Sequence, residues 1–581
     1  MTGGLGNRVR AVGGLLALWV LAGASPATDP PPSEPRALDR PVGPDAPLPT
    51  APPEPTFVET LTDPPSGFTG RSSVVPSVSA NIDFVPVEDR WRIGFPEWDR
   101  YGRGHPLLDQ YPYVLGRLAD PYAQNVLKGD YPIIGQHTFL NLTVSSLSVF
   151  EARQLPTATT PFESTARPFH EEFFGRPNQF FSNNFLSLSA DLFHGDAAFK
   201  PIDWRVKLTG VVNFNYLSVE ELAVVSPDVL KGLTRGRTWF ALQEFFGEVK
   251  LADLGAEYDF VSARVGSQPF TSDFRGFVYS DTNLMVRTFG TRRGNREQFN
   301  LVWTEQLEKE TNSGLNTFHD RNQNVAVANY YVQDFVFPGY TMAASVHVND
   351  DQPSVLYDRN RFLVRPDPAG VFRPHRVQTA YLGLAGDGHI GRYNVSHAFY
   401  WVLGRDSLNP IANQAQDVSA QMAAVELSYD RDWARFRTSV FYSSGDGDPN
   451  NSHARGFDAI LANPNFAGGQ FSYFQRQGVQ LFGVNLATRT NLIPNLRSSQ
   501  IQGQANHVNP GLFLVNAGVD FEITPKLRSI NNCNFLWFDK TKVLETFAFQ
   551  PGIDRELGTD LSTGLEYRPL LNNNVILLTG A

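Results

Sequence analysis

A single cysteine, Cys533, in 581 residues excludes an internal disulfide framework and a zinc site built mainly of thiolates. Charge is scarce too, with charged residues at 19% of the chain, where about a quarter is usual. Acidic residues outnumber basic ones by 59 to 49, and the resulting net charge of -10 argues against binding to nucleic acid. After the N-terminal leader no apolar run approaches the roughly 18 residues that a membrane-crossing helix needs. The chain also lacks GxSxG, HExxH, CxxCH and a Walker-type Gly-Lys-Ser/Thr loop, so neither an enzyme nor a resident cofactor or metal is expected.

Aromatic residues are abundant at 12%, with 44 Phe, beside 48 Gly and 41 Pro. A chain so aromatic has material for a large folded structure. At the N-terminus Arg8 and Arg10 precede the apolar run Val12 to Leu21 and the small residues Ala22, Gly23 and Ala24. This pattern predicts a secretory signal peptide over 1–24, cleaved near Ala24 or Ala27, with a membrane-anchoring helix as the alternative. Cleavage after Ala24 removes two arginines and no acid, taking the net charge from -10 to -12.

Residues 25–80 are rich in Pro, Ala, Asp and Glu and poor in large apolar side chains, which predicts a disordered periplasmic linker, or a spacer that spans the cell wall or holds a partner. Residues 81–135 carry Trp91, Phe95, Trp98 and Tyr101 without a clean period and are broken by Pro96, Pro106, Pro112, Pro121 and Pro132. A compact irregular segment is expected there, plugging a lumen or lying across its periplasmic rim.

From about residue 136 the period becomes two. Trp204, Val206, Leu208, Val212, Phe214 and Tyr216 fall on one face of a strand, and Arg205, Lys207, Thr209, Asn213 and Asn215 on the other. Leu186, Leu188, Ala190 and Leu192 alternate with Ser187, Ser189 and Asp191 and lead through His194-Gly195-Asp196 into that strand, as a hairpin does. Further hairpins are expected with turns at Asp387-Gly388, Asp430-Arg431-Asp432 and Thr524-Pro525-Lys526, and further strands at 260–268 and 559–567.

Strands of about 9 to 13 residues with one apolar and one polar face have the pattern of transmembrane barrel strands. The expected fold is an all-β transmembrane antiparallel β-barrel of about 16–18 strands over 136–581, following the disordered linker. Short turns alternate with long connections such as 443–470 and 350–375, as expected if one rim faces the periplasm and the other the outside. A secreted sandwich array or β-helix is the rival, but no fixed-period repeat appears. Leu577-Leu578-Thr579-Gly580-Ala581 reads as an incomplete final strand, so a further segment is expected in the natural gene.

Charges on the polar face of such strands are tolerated only toward water or a partner. The lumen-lining candidates are therefore Arg205, Lys207, Arg264, Gln268, Arg437, Glu248, Glu426 and Asp520. Two arrangements are open, a cationic ladder for anionic solutes and mutual pairing across the wall. His347 beside Ser345 is expected to face the lumen, and Gly445 to Asn451 to be a solvated acidic loop, with calcium binding as its alternative.

Arg264-Val265-Gly266-Ser267-Gln268, then Gly445-Asp446-Gly447-Asp448-Pro449 followed by Phe457-Asp458, and Leu557-Gly558-Thr559-Asp560-Leu561 together resemble the pattern of the alginate-export group of outer-membrane porins. The likeness covers residues 184 to 581 loosely. Ser267 stands where that group usually carries a second Arg, and Asp560 where it usually carries Glu. The resemblance implies a monomeric barrel passing an anionic polymer or small solute.

The expectation is thus an outer-membrane channel for anionic solutes or polysaccharide, with outer-membrane lipid, the outer-membrane assembly machinery and a small-molecule or polysaccharide substrate as partners, and no nucleic acid. The alternative is a barrel sheath around a partner such as a multihaem electron-transfer protein.

Overall fold

The computed structural model describes residues 125–155, 176–196, 200–255, 257–476, 479–481 and 484–581. The expected signal peptide and linker, and 81–124 of the irregular segment, lie outside the described residues. The strands are β1 Thr138–Gln154, β2 Asn178–His194, β3 Trp204–Val219, β4 Thr234–Asp253, β5 Phe260–Thr271, β6 Ser280–Arg292, β7 Glu297–Lys309, β8 Asn316–Val332 and β9 Tyr340–Asp351. After the short pair β10 Leu356–Tyr357 and β11 Leu363–Arg365 come β12 Val377–Ile390, β13 Tyr393–Asn409, β14 Gln414–Arg431 and β15 Ala434–Ser443. Then follow β16 His453–Ala454, β17 Val479–Leu481, β18 Val484–Ala487, β19 Leu512–Thr524, β20 Leu527–Trp537, β21 Glu556–Tyr567 and β22 Leu577–Gly580.

Eighteen of these strands form one sheet, the barrel wall expected from the period-two pattern. Each wall strand pairs antiparallel with the next in the chain, with β9 joined to β12 and β15 to β19 across the two long excursions. The exception is β16, two residues lying parallel beside β14. The last strand, β22, pairs with β21 over Tyr567 to Gly564, and among the described residues no ladder joins it to β1.

Burial in the wall is inverted relative to a water-soluble sheet. On β2, Leu186 and Leu188 are 50% and 58% exposed while Ser187 and Asp191 are buried at 6% and 8%. On β3, Val206, Leu208, Phe214 and Tyr216 are exposed and Asn213 is fully buried. An apolar outer face around a polar inner one is the pattern of a barrel in lipid. Many strands exceed the expected length, β4 reaching 20 residues, because they continue past their apolar outer stretch toward the long connections.

Two turns fall later than the sequence places them, the one expected at Asp430-Arg431-Asp432 lying at Asp432 and Trp433. Asp387 and Gly388 lie within the β12 to β13 ladder, opposite Ser396 and Val395, and the turn falls at Gly391 and Arg392. Gly388 has φ of 140°, and a side chain there would strike the Gly339 carbonyl, so this glycine serves close strand approach.

The connections of one rim are mostly longer than those of the other, with 310–315 and 410–413 as short exceptions on the long-connection rim, and the longest, 444–511, folds inward. Its Phe457, Leu461, Leu496 and Val508 pack against inner-face residues Met285, Val325, Tyr381, Val402 and Met422, all nearly or fully buried. The half of the barrel toward the long connections therefore holds an apolar core. That core also encloses ion pairs such as Lys309 with Asp281 at 2.7 Å and Arg321 with Asp351 at 3.1 Å, and the half toward the short connections carries further charged side chains. At the short-connection rim, residues 125–135 fold back on β1, Leu142 N donating to the Leu127 carbonyl at 2.7 Å.

Candidate functional site

A cavity of about 730 Å³ lies between the insert and the short-connection rim. Its roof includes Asn463 to Gln470 and Arg476, Arg489 and Thr490 of the insert, and its lower wall includes His389, Arg435, Arg528 and Arg568. Three sequence-predicted residues, Glu426, Arg437 and Asp520, line it. The others gather elsewhere on the wall, in strands β3 to β5.

The structure favours mutual pairing over a free cationic ladder. Arg205 donates to both Asp191 oxygens at 2.8 and 2.6 Å, and Lys207 meets Glu244 at 2.7 Å. Arg264 donates twice to Glu248 Oε2, at 2.9 and 2.6 Å, with its guanidinium 4.5 Å from the Phe246 ring centre. Arg437 donates to Asp520 at 3.2 and 3.3 Å and to Asn532 at 2.6 Å, while Arg528 also reaches Asp520 at 2.7 Å. Gln268 is fully buried, its Nε2 donating to the Met285 carbonyl at 3.3 Å. Period-two alternation places these cations and their acids on one face, where each charge finds its neighbour two or fewer strands away.

Glu426 has a partner that strand pattern could not supply. Arg275, from the connection 272–279, donates to it at 3.0 Å. Asp273 holds that connection in shape, accepting from the backbone of Arg275 at 2.8 Å, from Gly276 and Phe277, and from the Tyr400 hydroxyl at 2.7 Å. Burial pushes the Asp273 carboxyl above the usual range, against the pull of those hydrogen bonds.

The motif residues turn out to be structural fasteners. Ser267 Oγ, fully buried, donates to the Gln243 carbonyl at 2.7 Å and accepts from Asn316 at 3.2 Å, a packed site without room for an arginine. Gly266 has φ of 127°, and a Cβ there would collide with the Phe245 carbonyl. Asp560 accepts from Ser472 Oγ at 2.7 Å and Asn534 at 3.0 Å, tying the insert to β21. The helix α1, Tyr473–Arg476, then reaches β1 through Arg476 and Glu151 at 3.2 Å, so one short element touches the first strand of the sheet and, through Tyr473 and Asp560, its penultimate one.

Two further expectations change. His347 faces the barrel interior as expected, but it is fully buried between Tyr381 and Tyr400, with ring centroids 6.5 and 5.9 Å away. The loop 445–451 is only partly solvated: Asp446 is 1% exposed, and the Gly445 amide donates to Asp539 at 2.9 Å. Among the described residues no group of three His, Cys, Asp or Glu is placed to hold a metal ion.

Arg275, Arg435, Arg476, Arg489, Arg528 and Arg568 are cavity residues that the sequence reading missed. Arg435 shares the alternation of Arg437, and Arg528 that of Ile530, so those two carried a period-two signal. The arginines of the connections carried none.

No protein-family model and no curated protein matches the chain. Solved structures that resemble it include OccK9 (OpdG) of Pseudomonas aeruginosa, at 9% identity and a TM-score of 0.40 over 76% of this chain and 98% of that one. OprB of Pseudomonas putida resembles it at 10% identity and a TM-score of 0.35, over 76% and 94% of the two chains. A loop-deleted OmpT, an outer membrane protein of Vibrio cholerae, does so at 11% identity and a TM-score of 0.35, over 74% and 99%.

Proposed function

We propose that the chain is an outer-membrane, porin-like channel that admits small anionic solutes into the barrel from the short-connection side. The observation that carries this reading is the cavity. It sits inside a wall whose outer face is apolar, and its lining holds seven arginines, Arg437 included; six of them meet a carboxylate, Asp430 and Glu151 among these, and Arg489 has none among the described residues. A surplus of positive charge in a low-dielectric enclosure raises the local concentration of anions.

The same geometry weighs against two alternatives. The folded insert packs against the inner face of the wall, in space that a threaded electron-transfer protein or a polysaccharide would need. Planar-bilayer recordings of the full-length protein under a salt gradient test the proposal. Ion currents with a reversal potential favouring anions are expected, and silence or cation preference would overturn it.

A further inference from the structure

Arg489 stands apart from the other cavity arginines. Arg275, Arg435, Arg437, Arg476, Arg528 and Arg568 each have a carboxylate within ion-pair distance. Among the described residues none offers one to Arg489, although its guanidinium lies in the insert at the cavity wall. The group is stacked on the Phe181 ring of β2, 4.5 Å from its centre. Stacking covers a guanidinium face and leaves its edge donors available in the ring plane, the geometry that accepts two oxygens of one anion.

Two more cations lie close by. Arg153 lies over the same Phe181 ring at 5.7 Å, and Arg476 sits beside Arg489. Among the described residues, Glu151 is the acid beside these groups, meeting Arg476 at 3.2 Å and Arg153 at 3.8 Å. Burial lowers the Arg489 pKa to about 10, with the charges of Arg476 and Arg153 acting the same way and Glu151 opposing them. A guanidinium at that value is still charged at neutral pH, and Arg489 is only half-buried, so its edge donors are open to an anion or water.

We propose that Arg489, backed by Arg476 and stacked on Phe181, is a binding site for a small oxyanion, a carboxylate or a phosphate, on the insert face of the cavity. The proposal rests on the channel reading for how the anion arrives, and the binding itself can be measured without transport. Isothermal titration of the detergent-solubilised full-length protein uses inorganic phosphate in one arm and succinate in the other, which separates the two sources.

Saturable binding of at least one anion is expected, weakened about tenfold or more by Arg489→Gln, since a charge-assisted hydrogen bond is lost. Arg489→Lys keeps the charge and loses the forked donors, so it should bind at intermediate strength, and it decides the matter if the Gln variant does not fold. Absence of binding by the native protein, or unchanged affinity in the variants, would overturn the site. Bilayer recordings on the same preparations keep the two ideas apart: binding without conductance leaves the site standing and removes the channel, and conductance without binding does the reverse.

Discussion

Arg497 and Asp458 form an ion pair inside the barrel, Nε to Oδ2 at 2.7 Å, and both side chains are at most 1% exposed. They lie 39 residues apart in the same insert, so the pair closes that segment on itself. Asp458 also accepts from the Asn506 amide at 2.7 Å and the Ala459 amide at 2.8 Å, and Arg497 donates to the Ala459 and Ile460 carbonyls.

Removing one partner leaves a buried charge uncompensated. Arg497→Ala should destabilise the insert by about 3–5 kcal/mol, the usual cost of breaking a buried pair. Limited proteolysis in detergent should then cut within 444–511 while the strands stay protected, and an insert as resistant as the native one would refute this.

The insert is also clamped to β8 of the wall and to β11 of the connection between β9 and β12. Arg321 donates to the Ile501 and Gly503 carbonyls at 3.0 and 2.8 Å, and Arg365 donates to the Gln502 carbonyl at 2.7 Å. Conversely, Gln502 Nε2 donates to the Lys309 carbonyl at 2.9 Å. Arg321→Ala combined with Arg365→Ala should release this strap and raise single-channel conductance severalfold in bilayers. Conductance equal to the native value would show that the strap does not limit the path.

Arg264 and Glu248 provide a charge test. Arg264→Gln leaves Glu248 without its guanidinium and should shift the reversal potential toward cations, whereas the double variant with Glu248→Gln should return close to native. A shift of equal size in the single and double variants would mean that the pair contributes nothing as a unit.

Leu188, exposed on the outer face at the middle of β2, provides a lipid test. Leu188→Arg should cost about 2–4 kcal/mol in vesicle-based unfolding, the range for arginine at mid-membrane. A cost near zero would place Leu188 outside the lipid.

The connection 366–376 carries a pH signature. Burial alone would lower the His375 pKa, but the hydrogen bond to Asp406 at 2.6 Å and the charges of Asp406, Asp367 and Asp351 outweigh it, so the folded value is raised. Its stabilisation is complete below the unfolded value of about 6.5 and is lost as pH rises through the folded one. Burial raises Asp367 to about 6, so this acid also favours the folded state most at low pH and loses that contribution between about 4 and 6. Proteolytic resistance of this connection should fall in both windows, and His375→Gln should abolish the upper step. Resistance rising with pH would contradict the assignment.

Much of the wall was legible in the sequence, because a strand between lipid and water must alternate and the alternation is local. The two faces of β3, the turn before β20 and the side taken by Arg205, Lys207 and Arg437 follow from that rule alone. Their ion-pair partners were a matter of register, which needs the neighbouring strand. Asp387-Gly388 misled because a glycine that permits close strand approach reads like a turn.

What only the tertiary structure decided lies in the connections. Nothing periodic marks residues 444–511 as an inward-folding core, since their apolar side chains are spaced by the surface they meet and that surface comes from β6 to β20. The same holds for Arg275, Arg476 and Arg489, whose positions are set by contacts such as Asp273 with Tyr400 and Asp560 with Ser472, 127 and 88 residues apart. Local sequence carries strand direction and face, but which charges share a cavity depends on how the curved wall and its connections bring distant segments together.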